Sequence, residues 1–240
     1  MSRPLTLAAY GVHVFTASGV VFGFLALLAT IEGQKFLAFT YLGIALAIDG
    51  IDGTFARLLK VKERTPHMDG VTLDNVIDFF TYAIIPALMI WRWELAPEGL
   101  GVWLGAAILL ASCYTYTNAN MKTADGYFVG FPAIWNLTVL YLIIFGAGPW
   151  VCFGVLTVCV GLSFVPTTYV HPFRVRTLMA LTIAITLVWA LSVAYQTYWV
   201  LLHGHQASDA PLSLGLMLLA SFYFAGISLG RWAGFWGNAA

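Results

Sequence analysis

Charge is what this sequence most conspicuously lacks. Asp, Glu, Lys and Arg together make up 9% of its residues, against about 25% in an average soluble domain. The two signs balance at eleven each, so no net field draws the chain to nucleic acid. Cysteine is scarce too: Cys113, Cys152 and Cys159 lie singly in apolar stretches. No Cys-x-x-Cys or Cys/His spacing points to zinc or to a disulfide framework. Internal repeats and low-complexity tracts are also missing. What fills the sequence instead is apolar, with 60% hydrophobic residues and a mean hydropathy of +0.85. A single soluble core cannot hide that excess, so the solvent for most of the chain is lipid. These features predict an all-α integral membrane protein.

A membrane helix needs about 20 mostly apolar residues. That ruler gives eight expected spans: 8–31, 36–58, 71–92, 99–117, 128–147, 149–169, 177–201 and 212–234. The division between the fifth and sixth rests on Gly146, Gly148 and Pro149 as a tight turn. The first stretch is longer than the roughly 7–15-residue apolar region of a secretory signal, and is expected to be a retained helix. With eight spans, one side receives Arg3, Arg57, Lys60, Lys62, Arg64, Lys122, Arg174, Arg176 and Arg231; the other receives only Lys35 and Arg92. Positive residues gather on the cytoplasmic side, so both termini are expected there. Short connections make residues 1–240 one transmembrane domain.

Four of the eleven acidic residues lie in otherwise apolar sequence, at the cytoplasmic ends of the second and third spans. They are Asp49 and Asp52 in AIDGIDGTFAR, and Asp74 and Asp78 in GVTLDNVIDFFTY. A carboxylate at mid-helix costs about 2.5–3.5 kcal/mol to insert; at a helix end the cost falls, but four clustered carboxylates repel one another. Spacings of three and four put each pair on one helical face. Gly53 and Ala56 share the face of the first pair and leave room for close approach to the backbone. Converging carboxylates suit a hard divalent cation such as Mg²⁺ or Mn²⁺, which commonly bridges carboxylates to substrate phosphates. Two such ions can polarise a diphosphate. Helix caps or surface residues would explain one such aspartate, but not four at helical spacing.

Asp49, Asp52-Gly53, Ala56-Arg57, Gly70, Asp74 and Asp78 resemble the DxxDGxxAR…GxxxDxxxD signature of the CDP-alcohol phosphotransferase family. The resemblance implies a core of six membrane helices within the eight, and a homodimer in the bacterial inner membrane with its active site facing the cytoplasm. It implies Asp49, Asp52, Asp74 and Asp78 as ligands of two divalent ions, Mn²⁺ or Mg²⁺, with Asp78 also the candidate general base. Asp52, Gly53, Ala56, Arg57 and Gly70 would receive the CDP diphosphate and nucleotide. One feature departs from most of the family: twelve residues, LLKVKERTPHMD, separate Arg57 from Gly70, where seven or eight are usual. The long loop, eight spans and short tails most resemble bacterial members that join choline to CDP-diacylglycerol and release CMP.

A quaternary ammonium offers no hydrogen-bond donor and is held by aromatic faces. Tyr82, Tyr114, Tyr116, Tyr127 and Trp135 are the candidates for the choline site, although for any one of them taken singly an interfacial aromatic belt is the favoured explanation. Arg174 and Arg176 either hold the lipid phosphate or serve topology by staying inside. Lys122 and Asp125 are placed to close over the nucleotide. No histidine has a convincing catalytic partner. Serine, inositol phosphate or glycerol phosphate remain alternative acceptors, though a phosphorylated acceptor calls for more basic residues than this chain offers. A cation transporter is the more distant alternative, and it predicts carboxylates near mid-membrane.

Overall fold

The computed structural model describes residues 3–175 and 178–235. Its long helices are α1 (Arg3–Ile31) and α2 (Lys35–Leu58), then, after the single-turn α3 (Val61–Arg64), α4 (Gly70–Arg92). Next come α5 (Gly101–Thr117), α6 (Trp135–Ile144), α7 (Pro149–Leu162), α8 (Met179–Leu202) and α9 (Pro211–Trp232). Five of these, α1, α2, α4, α8 and α9, are long and apolar enough to cross a membrane. The other apolar helices, α5, α6 and α7, have 17, 10 and 14 residues. The protein is therefore a mostly helical, multi-pass membrane protein.

The fifth and sixth expected segments differ most from expectation. Residues 128–134 do not open a helix. Phe128–Val129 (β1) pairs antiparallel with Thr168–Tyr169 (β2), so α6 starts only at Trp135 and α7 ends at Leu162. Gly130 explains why the chain bends there. Its φ is +77°, and a Cβ on it would lie 2.7 Å from the Ser163 carbonyl oxygen, so only glycine fits.

The buried stripe of α2 sets the site. Ala38, Leu42, Ala45 and Ile48 pack inward at helical spacing, and Asp52 continues the same buried face. The core-facing side of the helix thus turns acidic in its last turns, and α4 answers with Asp74 and Asp78. α4 is not uniform. Phe79–Ile84 forms a π-helical turn, in which the Ile85 amide bonds back to the Phe80 carbonyl. Pro86 supplies the reason: it has no N–H for the Tyr82 carbonyl, and its ring would clash there, so the ladder widens ahead of it.

α1 closes against α4 through two glycines one turn apart. A Cβ on Gly19 would lie 3.2 Å from Ile77, and one on Gly23 would lie 2.8 Å from the Phe80 ring and 2.9 Å from Thr81. Small residues at this spacing let membrane helices approach closely. On the other flank, a Cβ on Gly105 of α5 would come to 3.3 Å from the Ala87 carbonyl. The main core lies between these helices and includes Ile85, Met89, Ile90, Ile108, Trp135 and Leu156.

The seam predicts that Gly23→Ala destabilises the detergent-solubilised protein by about 1–3 kcal/mol, through overpacking. Gly43→Ala, where a Cβ meets nothing within 4 Å, is expected to be neutral or stabilising by up to about 1 kcal/mol. Thermal unfolding of the two variants checks the pair.

Candidate active site

The last turns of α2 and the first half of α4 meet across α1. Thr16 and Gly19 of α1, Ala45, Ile48, Asp49 and Asp52 of α2, and Asp74, Ile77, Asp78 and Thr81 of α4 line one narrow cleft. Carboxylate oxygens of Asp49, Asp74 and Asp78 lie within 4.8 Å of one another. Asp52 is buried in the same cleft, facing the Thr16 hydroxyl and the Gly53 amide. All four aspartates singled out in the sequence therefore share one cavity, and three of them converge. Two like charges at that separation repel by about 3 kcal/mol at an effective dielectric near 20. Three cannot all stay ionised without a counter-charge. An all-oxygen donor set of this kind fits a hard divalent cation.

Tyr82 reaches the same place. From the π-turn it donates its hydroxyl to Asp49 Oδ2 at 2.7 Å. Tyr116, on the last turn of α5, packs edge-on against Phe79 with ring centroids 5.9 Å apart and lies within electrostatic reach of Asp78, Asp49 and Asp74.

Above this acidic floor the structure gathers cations. Lys122, on the loop after α5, carries its charge within reach of Asp74, Asp78 and Asp49, and of Arg174. Burial, and next the Arg174 charge, push the lysine below its ordinary value, with the aspartates opposing. His171 stacks flat on Phe128, centroids 4.9 Å apart, and the Lys122 ammonium lies 5.3 Å from the centroid of the same Phe128 ring. Burial, with Arg174, Lys122 and Arg57 nearby, pushes His171 down to about 4, so it is neutral at pH 7. Arg57 is exposed on α2, donates to the Thr54 hydroxyl at 3.1 Å and faces Asp52. The result is a rim of Arg57, Lys122 and Arg174 over a floor of carboxylates.

Other residues read from the sequence are used elsewhere. Trp135 is fully buried, with its indole N–H donating to Ser112 at 2.8 Å. Tyr127 is buried under the Arg231 guanidinium, 5.6 Å from its ring centroid. Tyr114 is exposed and lies against Phe164, centroids 5.0 Å apart. These three are occupied by the core, an ion pair's neighbourhood and the outer surface, and of the five aromatic candidates only Tyr82 and Tyr116 join the aspartates. Gly70 leaves space for His13, whose ring would be 3.2 Å from a Cβ there. His13 in turn bonds the Thr65 hydroxyl at 2.9 Å, tying the twelve-residue loop to α1. Ala56 packs with Ala9, Val12 and Val61. Gly53 keeps its open face beside Arg57, whose guanidinium nitrogen would be 3.4 Å from a Cβ. Arg176 lies outside the described residues.

Asp125 does not reach the aspartates either. It accepts from Arg231 Nε at 2.9 Å and from the Thr123 hydroxyl, so it latches the loop to α9. The sequence did not reveal Thr16, Gly19, the π-turn or the Asp125–Arg231 pair. Pro86 was the one available signal for the π-turn.

Burial tends to raise the Asp125 carboxyl, but the Arg231 and Thr123 hydrogen bonds and the Arg231 charge outweigh it, leaving the group below its usual range. A depressed folded value stabilises the latch above the unfolded value of roughly 3.9, and the stabilisation is lost as the pH falls through the folded value. Amide exchange in residues 121–129 is therefore expected to stay protected from neutral pH to about 4, and to accelerate below it. Arg231→Gln should show the acid-like exchange already at pH 7.

No protein-family model matches the chain. It is 44% identical over 228 residues to a phosphatidylcholine synthase of Pseudomonas aeruginosa, covering 95% of this chain and 93% of that protein. It is 37% identical over 232 residues to one of Brucella melitensis, covering 93% and 82%. A third, from Mesorhizobium japonicum, is 42% identical over 181 residues, covering 75% and 68%.

Proposed function

The chain belongs to the phosphatidylcholine synthase family of CDP-diacylglycerol–choline phosphatidyltransferases, and we propose that the cleft of Asp49, Asp52, Asp74 and Asp78 is where its transfer takes place. The observation that carries this is the meeting of three carboxylates within 4.8 Å beneath the rim of Lys122, Arg174 and Arg57. Such a floor suits divalent metal, and such a rim suits a diphosphate. A transporter's ion pathway would have no use for a cationic rim beside its carboxylates.

Asp49, Asp52, Asp74 and Asp78 hold Mn²⁺ or Mg²⁺ in this reading, as two ions. When bound, divalent metal neutralises diphosphate oxygens and the charge that develops on the leaving group. Arg57, beside the open face of Gly53, and Lys122 receive the CDP diphosphate. Arg174 takes the lipid-linked phosphate from the loop side. Asp78 accepts the choline hydroxyl proton. The choline oxygen then bonds to the phosphorus that carries diacylglycerol, and the bond from that phosphorus to the oxygen bridging it to CMP breaks. CMP leaves and phosphatidylcholine remains. Positioning and electrostatic stabilisation carry most of the rate, as in other phosphoryl transfers. For the trimethylammonium group, the face of Tyr116 and the nearby negative charge provide the attraction that such a cation needs.

The same reading takes the chain as one domain of eight passes. Both ends and the active site face the cytoplasm of a bacterial inner membrane, and the protein works as a homodimer. The nine-to-two distribution of basic residues supports the orientation. The bacterial relatives and the five long apolar helices support the placement in a bacterial membrane.

The test is CMP release by purified protein given CDP-diacylglycerol, Mn²⁺ and one acceptor at a time: choline, serine, inositol phosphate or glycerol phosphate. Choline-dependent release is expected, abolished by chelation of metal and reduced by at least about 10²-fold in Asp78→Asn. Release with another acceptor and not with choline would overturn the choline assignment while leaving the cleft.

A further inference from the structure

The Tyr82 hydroxyl is not a free face of an aromatic cage. Its side chain is 7% exposed, and its O–H points at Asp49 Oδ2 from 2.7 Å. An ionised carboxylate rotates easily about its last bond and has about four lone-pair sites. A fixed donor on one oxygen takes away that freedom. The donor itself is fixed by backbone. Tyr82 lies within the Phe79–Ile84 π-turn forced by Pro86, four residues after Asp78. Thr81 next to it bonds back to the Ile77 carbonyl at 3.0 Å and touches the α1 seam at Gly23. The same local widening of α4 therefore connects Asp78, which lines the cleft, to a hydroxyl that crosses to α2.

We propose that Tyr82 is a positioning residue for the metal centre, holding the Asp49 carboxylate in the orientation in which it converges with Asp74 and Asp78. The proposal rests on reading the cleft as a divalent-cation site. A carboxylate already set in place does not have to be reoriented when a cation arrives, so Tyr82 acts on metal affinity and not on recognition of the acceptor. Groups that orient a ligand in this way are typically worth 10–100-fold in metal affinity.

Mn²⁺ binding to the purified protein without substrates, read by loss of the free-ion EPR signal, tests this in wild type, Tyr82→Phe and Asp49→Asn. Phenylalanine keeps the ring and its packing and removes only the donor. Tyr82→Phe is expected to weaken Mn²⁺ binding by about tenfold and to raise the Mn²⁺ concentration for half-maximal CMP release by a similar factor. KM for choline and the thermal midpoint of the metal-free protein should stay unchanged. Wild-type affinity in Tyr82→Phe, with Asp49→Asn weakened, overturns the positioning role alone. So does a raised KM for choline at unchanged Mn²⁺ affinity, which would make Tyr82 an acceptor contact. A Tyr82→Phe protein that fails to fold overturns it as well, because the hydroxyl would then be holding the bundle. Equal Mn²⁺ affinity in all three proteins removes instead the metal-site reading beneath it.

Discussion

Mutual repulsion among half-buried carboxylates is the constraint around which this structure is arranged. Three acidic groups cannot share a few ångströms of low-dielectric space unless opposite charge is supplied. The protein eases that repulsion from two directions, one a hydrogen bond and one charge. A hydroxyl from within α4 steadies one carboxylate, and the loops after α5 and α7 bring lysine and arginine over the top. The placement at helix ends matters equally. There the rim can be polar and solvated while the floor stays in the bundle, an arrangement suited to a substrate with one end in water and the other in lipid.

Backbone devices, more than side-chain chemistry, hold these groups in place. Gly19 and Gly23 let α1 lie directly on α4 beside Ile77 and Phe80, so the wall next to Asp78 is fixed by close packing. Pro86 opens a π-turn within the same helix. Gly130 allows the strand before α6 to press against the end of α7, which sets the base of the loop that carries Lys122. None of these residues has catalytic chemistry of its own, yet each decides where a chemical group points.

The acidic half of the site was legible because helical spacing is a local property. Asp49 and Asp52, or Asp74 and Asp78, declare a shared face within one turn of sequence. Their meeting was inferable too, because consecutive spans run antiparallel and both pairs lie at the same end. The aromatic half was not legible, because a tyrosine reads the same whether it faces a ligand, a core or lipid. Trp135 went to Ser112, and Tyr127 went under Arg231, contacts made across 23 and 104 residues of chain. The short β1–β2 pair is a contact of the same long range, and it is why α6 is shorter than hydropathy alone suggested. Asp125 was legible only as a loop residue near the nucleotide; its ion pair with Arg231, 106 residues away, was not.

The seam on α1 also bears on how such a bundle is assembled. Synthesis runs from the N-terminus, so α1 and α2 are made as a hairpin before α4 exists. At that stage Gly19 and Gly23 form an empty groove on α1, beside Asp49 and Asp52 of its neighbour. Arrival of α4 fills the groove with Ile77, Phe80 and Thr81, and in the same docking step delivers Asp74, Asp78 and Tyr82. A chain in which α4 has not seated therefore leaves the groove at Gly19 and Gly23 open, beside aspartates that lack their α4 counterparts.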